Sequence, residues 1–261
     1  MNNDKSSAGT QSIERATQIM RIIASRNSTG MRLVDIARHA KLERPTVHRI
    51  VKCLVNEGLV KGNAESRRYF LGHLTFELGL AASSNFNLRD ICHSALVRLA
   101  EKSGDTIFLA IRSGADSVCI DRVEGSFPIK TLTLDIGTRR PLGVGAGGLA
   151  LLMTLPDTTQ EEILAANALR LAAYNNLTVP DLKVLLKRCR ELGYALNDAH
   201  ITPGATSVGL PIRSRSGEPL VAISIGAISS RMTEARQRQL VSLIRTEIEQ
   251  LEKSLDDSIH P

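Results

Sequence analysis

Thr46, His48, Arg49 and Lys52 lie on one side of a helical repeat whose other side is apolar, with Val47, Ile50, Val51, Leu54 and Val55 at helical spacing. Hydroxyl, imidazole, guanidinium and ammonium groups turned outward along one helix suit hydrogen bonding to the base edges and phosphates of duplex DNA. Arg49 matches the O6 and N7 acceptors of guanine in a bidentate pair, and Thr46 and His48 serve a base edge or a phosphate equally well. Arg44 and Pro45 open this helix, and proline is at home in a first turn because its missing N–H has no partner there. Upstream, Leu33, Ile36, Ala37 and Ala40 form a second apolar stripe only a few residues away. Two short helices so joined pack steeply, as in a helix-turn-helix. Beyond Gly58, residues Leu59 to Lys61 and Arg67 to Leu71 read as strands around a turn-rich tip. Lys61, Arg67 and Arg68 make that hairpin a basic wing. The plain alternative is a small helical bundle with a solvated, charged face.

Two further constellations invite an enzymatic reading. Gly143, Gly145 and Gly148 satisfy G-x-G-x-x-G, but a dinucleotide fingerprint needs a strand running straight into it, and here the polar Gly137-Thr138-Arg139-Arg140-Pro141 intervenes. No acidic residue closes a second strand at the required distance. Ala205-Thr206-Ser207-Val208-Gly209 approximates a nucleophile elbow, yet the following Leu210 to Arg213 is strand-like where a helix is needed. His200 reads as a surface or turn residue. No histidine pair has metalloprotease spacing, so neither a catalytic centre nor a metal or cofactor is expected. The glycine run makes better sense at a helix start, where unobstructed backbone N–H groups at the positive dipole end suit a carboxylate. Close helix-to-sheet packing that only glycine permits is the competing explanation.

Charge separates the chain into two parts. Residues 1 to 72 hold 13 Lys and Arg against 6 Asp and Glu, while the remainder holds 20 against 21, so the formal net charge of +6 originates entirely in the first part. An excess confined to the helix-turn-helix segment is the footprint of phosphate contacts. The opening Met1 to Thr10 is polar and resembles no signal or transit peptide, and no apolar run reaches membrane-spanning length, so a cytoplasmic location is expected. Cys53, Cys92, Cys119 and Cys189 are widely spaced and read as buried free thiols.

The elements that must position these residues follow from periodicity. Ile13, Ala16, Ile19, Met20 and Ile23 give a helix ahead of the pair, and Leu74, Phe76, Leu78 and Leu80 a connecting helix that breaks at Ser83-Ser84-Asn85. Leu88 to Lys102 is again helical. Strands are expected at Thr106 to Arg112, Ser117 to Val123 and Ile129 to Leu134, then helices around Gly147 to Thr154, Thr159 to Ala166 and Val179 to Leu192. Strands Tyr194 to Asn197, Thr206 to Ile212 and Pro219 to Ile225 precede a last helix from Thr233 to Leu255, with a hairpin turn at Arg215 to Glu218. Strands grouped at both ends with helices between them indicate an α+β domain with a largely antiparallel sheet.

Several segments together resemble the IclR family of transcriptional regulators over essentially the whole length. Ser12 to Ala16, Arg44 to Arg49 and Tyr69 to Gly72 are similar to its DNA-binding half. Ile120 to Val123, Gly137 to Leu142, Gly193 to Asp198, Pro203-Gly204 and Ala222 to Gly226 are similar to its effector half. The resemblance implies an α+β chain with a winged helix-turn-helix domain (11–72), a linker helix (73–86) and a GAF-like effector-binding domain (87–257). It further implies a homodimer or dimer of dimers on a palindromic double-stranded DNA operator, with repression and activation both known. Carried over by position, the effector pocket falls on Gly145, Ala146, Asn197, Ser207, Ser224 and Gly226. The family commonly has an acidic residue where Asn197 stands and often a second serine where Gly226 stands. An amide for a carboxylate removes repulsion toward an anion, so a small organic acid is the expected effector. The extra volume at Gly226 favours a bulkier, aromatic one. A ligand-responsive regulator without catalysis is thus the reading, with a metabolite-converting enzyme carrying a DNA-binding domain as the alternative. A purely architectural DNA-binding protein leaves the Gly145 to Gly226 constellation without a task.

Overall fold

A computed structural model describes residues 10–83, 88–198, 201–214 and 217–259, with the side chains of 83 and 253–259 left aside. His200, residues 1–9 of the polar leader, Ser84 and Asn85, and Arg215 and Ser216 of the expected turn lie outside the described residues. Contacts divide the chain into two compact units, Met1–Phe86 and Asn87–Pro261.

The first unit comprises helix α1 (Gln11–Ala24), strand β1 (Met31–Arg32), α2 (Leu33–Ala40), α3 (Arg44–Asn56), β2 (Val60–Asn63), β3 (Arg68–Leu71) and α4 (His73–Ser83). Its core is the convergence of three apolar stripes: Ile19 and Ile23 from α1, Ile36, Ala37 and Ala40 from α2, and Val47, Val51 and Leu54 from α3. Lys41 ends α2 in a left-handed conformation at φ 54°, which makes the short turn into α3 possible. The wing has three strands in the order β1-β3-β2, with Met31 opposite Tyr69 and Val60 opposite Leu71. The two-residue β1 is too short to register as a sequence period. Ile13 and Val55, assigned to apolar stripes by spacing, are exposed, as are Phe76, Leu78 and Leu80 of α4. Cys53 is also exposed, contrary to its expected burial, because it lies beside Val51 and Leu54 in sequence but off their inward stripe.

The second unit contains α5 (Leu88–Ser103), β4 (Thr106–Ser113), β5 (Asp116–Val123), β6 (Arg139–Pro141), α6 (Gly145–Leu152), α7 (Asp157–Leu171) and α8 (Val179–Leu192). β7 (Ala195–Asp198), β8 (Ala205–Arg213), β9 (Pro219–Ile228) and α9 (Glu234–Ile259) complete it. Its six strands run in the order β6-β5-β4-β9-β8-β7, every neighbouring pair antiparallel. Strand alternation sorts the two faces. Along β9, Val221, Ile223 and Ile225 join Ile107, Leu109, Val208 and Leu210 in a core with α5 and α9. Ala222, Ser224 and Gly226 point the other way, toward α6. One sheet face is therefore bulky and apolar, and the other, Phe108 apart, presents mostly small or polar residues around the cavity.

The strand expected at Ile129 to Leu134 does not form. The first half of β5's outer edge is already taken: Asp116, Ser117 and Val118 pair with β6, and Cys119 exchanges hydrogen bonds with Gly137 N–H and Thr138 C=O at 2.8 and 3.0 Å. Farther along, the segment is held by a side chain, Arg122 Nη1 donating to Leu134 O at 3.0 Å. Residues 129–134 instead run as an extended loop with Ile129 and Leu132 exposed and Thr131 turned inward.

Behind the sheet, Glu247 of α9 is buried and receives Arg98 Nη2 at 2.7 Å and Lys102 Nζ at 3.1 Å from α5. Burial alone would raise its pKa, but these hydrogen bonds and charges hold it below the usual glutamate range. A depressed folded-state pKa contributes stability that is complete above the ordinary range and fades as pH falls through the folded value. Glu247→Gln should thus cost this unit about 1–2 kcal/mol near neutrality, discounted because both cations are half exposed. Urea midpoints of the two proteins should begin to converge below roughly pH 5, where an ordinary glutamate starts to protonate, and go on converging as the pH falls below the ordinary glutamate range. A constant gap across that range would show that the ion pairs contribute nothing.

Candidate functional site: a basic helix face and an enclosed polar cavity

In the first unit, Val47, Val51 and Leu54 anchor α3 and leave Arg44, Pro45, His48, Arg49 and Lys52 exposed, with Thr46 half-buried. Positions 45, 48, 49 and 52 fall on one stripe by the helical repeat, so the cationic groups share a face. On the wing, Lys61 and Arg67 are exposed, and Asn63 closes the tip by accepting the Ser66 N–H at 2.8 Å. Arg68 is differently placed from Arg67. Its Nη1 donates to the carbonyls of Thr29 and Gly30 at 3.1 and 2.9 Å, bracing the wing against the turn after α1.

In the second unit, Gly145, Ala146, Asn197, Ser207, Ser224 and Gly226 all line one cavity between the open sheet face and the start of α6. Sheet register explains this: Ser207 sits opposite both Asn197 and Gly226, so three strands deliver them side by side. The glycines divide their tasks. A Cβ on Gly148 would stand 3.1 Å from Gly143 N and 3.2 Å from Ser117 Oγ, and one on Gly209 2.9 Å from Ala146 O, so these two permit close helix-to-sheet packing. Gly145 is different. It holds φ 81°, and a Cβ there would meet only Arg140 Nη1, at 4.0 Å. The N-cap residue Val144 offers no side-chain cap, which leaves the first N–H groups of α6 to the cavity.

The volume expected beside Gly226 is already filled. A Cβ there would come within 3.3 Å of Phe108 Cε2 and 3.8 Å of Thr131 Cβ. The cavity measures about 40 Å³. At roughly 10–15 Å³ per water on that measure, it holds a few waters. Ser207 lies in the middle of β8, paired on both sides, not at a strand-to-helix elbow. The glycine run follows a three-residue antiparallel edge strand, which is not a dinucleotide-binding context. Burial pushes the Cys119 thiol at the cavity wall up to about 11, so it is protonated and not a nucleophile near neutrality.

Arg140, Phe108, Thr131 and Thr133 also line the cavity and are not among the six residues that the resemblance carries over to it. For Arg140 the signal is strand alternation. Adjacent residues of β6 face opposite ways, so Arg139 pairs with Asp116 at 3.1 Å while Arg140 turns to the cavity. The Arg140 guanidinium donates from Nη2 to Thr133 O at 2.5 Å and lies 5.8 Å from the centre of the Tyr174 ring. Burial pulls its pKa below the usual arginine range, with Tyr174 acting in the opposite sense.

A winged helix-turn-helix unit followed by an antiparallel α+β unit with a small cavity of mixed polar and apolar lining defines a DNA-binding transcriptional regulator. The family models settle which kind: residues 12–64 match the IclR helix-turn-helix domain and residues 80–253 the bacterial transcriptional regulator IclR C-terminal, and the chain belongs to the IclR family. It is 27% identical over 228 residues to the HTH-type transcriptional regulator XynR of Escherichia coli, covering 86% of this chain and 89% of that protein. The crystal structure of Thermotoga maritima IclR is similar at a TM-score of 0.65 and 26% identity, covering 95% of this chain and 99% of that one. An IclR homolog from Microbacterium hydrocarbonoxydans, solved in complex with 4-hydroxybenzoate, shares the fold at a TM-score of 0.70 and 23% identity, with 93% and 99% covered. Among the described residues no helix is long and apolar enough to cross a membrane.

Proposed function

We propose that the chain is a ligand-responsive regulator: α3 and the wing hold duplex DNA, and the cavity of the second unit binds a compact organic carboxylate that alters this hold. The observation that carries the reading is the convergence of six residues from α6, β7, β8 and β9 on one cavity at an uncapped helix start. Backbone N–H groups there, with the hydroxyls of Ser207 and Ser224, favour an anion over a neutral or cationic molecule. The 4-hydroxybenzoate bound by the Microbacterium relative is of the same chemical class. The small volume of the cavity argues for an acid of a few carbons, and an aromatic acid requires the 124–138 loop to give way. On the DNA side, Arg44, Pro45, Thr46, His48, Arg49 and Lys52 make the base and phosphate contacts, with Lys61 and Arg67 on phosphates of the flanking groove. Arg68 shapes the wing. One recognition helix per chain reads too little sequence alone, which supports a homodimer or dimer of dimers on an inverted repeat.

Footprinting on the DNA upstream of the protein's own gene, with and without short-chain and aromatic acids, tests this. Protection of an inverted repeat with half-sites about one helical turn, roughly 34 Å, or a multiple apart is expected, changed by at least one acid. Ser224→Ala should weaken that acid by about 1–2 kcal/mol, the cost of one hydrogen bond to a charged group, and leave DNA binding without acid intact. Consumption of the acid by the purified protein would instead favour the enzymatic alternative.

A further inference from the structure

The cavity wall holds a cation without a counter-ion. Arg140 is partly buried and no carboxylate pairs with it among the described residues; its contacts are the Thr133 carbonyl, which accepts from Nη2, and the face of the Tyr174 ring. Its Nη1 stands beside Gly145, the first residue of α6, at the 4.0 Å noted above from a would-be Cβ. A helix start carries roughly half a positive charge, so two positive groups meet in a poorly solvated place. Unopposed, that arrangement is unfavourable, because a buried charge needs a counter-charge or an equivalent set of hydrogen bonds. A second feature points independently to a ligand. Asn197, 7% exposed and on the far edge strand, lines the same cavity with an Oδ1 that has no hydrogen-bond partner.

We infer that Arg140 is the counter-ion for the effector: its guanidinium and the α6 N-terminus together clamp the carboxylate, and the rest of the molecule extends toward Asn197. This rests on the reading of the cavity as the effector site and adds to it the residue that sets the ligand's charge. A planar guanidinium grips both oxygens of a carboxylate, which neither serine nor a single backbone N–H does. The neighbouring Arg139, already paired with Asp116, cannot substitute.

The test is thermal shift on the full-length protein, with sodium formate, glycolate or benzoate replacing sodium chloride at constant ionic strength, each beside its neutral amide. At least one acid should stabilise the wild type and its amide should not. Arg140→Met should weaken that acid at least tenfold, and Arg140→Lys, which keeps the charge but loses the planar fork, should fall between. Without acid and at low salt, Arg140→Met should be no less stable than the wild type, since it removes a cation that no counter-charge opposes. A merely structural Arg140 predicts the reverse, and an unfolded Arg140→Met protein overturns the inference. Undiminished acid binding by Arg140→Met also overturns it while leaving acid sensing intact. A wild type indifferent to every acid, or equally responsive to acid and amide, overturns both.

Discussion

Gly72→Ala is expected to abolish operator binding by unfolding the first unit while the second keeps its response to acid. Gly72 follows β3 where the chain turns into α4, and a Cβ there would lie 2.1 Å from the carbonyl oxygen of Gly58 and 2.9 Å from Val60 N. Neither atom can move away freely. The Gly58 carbonyl accepts from Leu74 N at 3.2 Å, and Gly72 N donates to Leu59 O at 2.9 Å, so the clash sits inside a hydrogen-bonded knot that ties the wing to α4. Overpacking typically costs about 1–3 kcal/mol, and a 2.1 Å approach to pinned backbone sets the upper end, about 3 kcal/mol. For a unit of this size that corresponds to a fall in Tm of roughly 10–25 °C. Gly79→Ala supplies the control: its Cβ meets nothing within 4 Å, and alanine in an exposed helix is neutral or stabilising by up to about 1 kcal/mol. Thermal unfolding and gel shift on the two variants decide the matter. A Gly72→Ala protein with wild-type melting and DNA affinity would refute the packing described for the wing.

Arg49→Ala should lose about 1–3 kcal/mol on the specific operator, roughly five- to 150-fold, and little on unrelated DNA. Arg49 is exposed on the face opposite Val47 and Val51, so truncation removes a contact without opening the core. Arg67→Ala should behave differently, weakening specific and non-specific binding alike and lowering the salt slope by about one, as the loss of one phosphate contact does. Fluorescence anisotropy across a salt series separates the two. Unchanged affinity in both variants at moderate salt would sink the assignment of α3 and the wing as the DNA-binding surface. Because Arg68 spends its Nη1 on two carbonyls, Arg68→Ala should act through wing stability and show as a lower melting temperature.

Much of the architecture is legible in local pattern. The apolar stripes of α1, α2 and α3 appear as helical spacing, and β9 appears as an alternation of Val221, Ile223 and Ile225 with Ala222, Ser224 and Gly226. The charge break near residue 72 falls close to where contacts divide the chain. Failures of local pattern have identifiable causes. Thr131 and Thr133 alternate with apolar residues as a strand would, but β6 and the turn before it hold the first half of the β5 edge and residues 129–134 form no ladder. Cys53 and Val55 adjoin buried residues in sequence and lie off the buried stripe in space.

The amino-acid sequence by itself determined the helix-turn-helix pair with its basic hairpin and most of the other helices and strands, because these depend on residues a few positions apart, where helix and strand periods are visible. The six residues around the glycine-led helix followed from resemblance to the family, not from any period. Tertiary structure alone decided what the cavity is like inside. Phe108 fills the space that Gly226 leaves, Arg140 and not Arg139 turns inward, and Asn197 on the opposite edge strand keeps an unpaired oxygen. The physical reason is distance along the chain. The wall comes from β4 through β9, joined only when antiparallel pairing sets the register, and which way a side chain points is fixed by the pleat and its neighbours, not by its type.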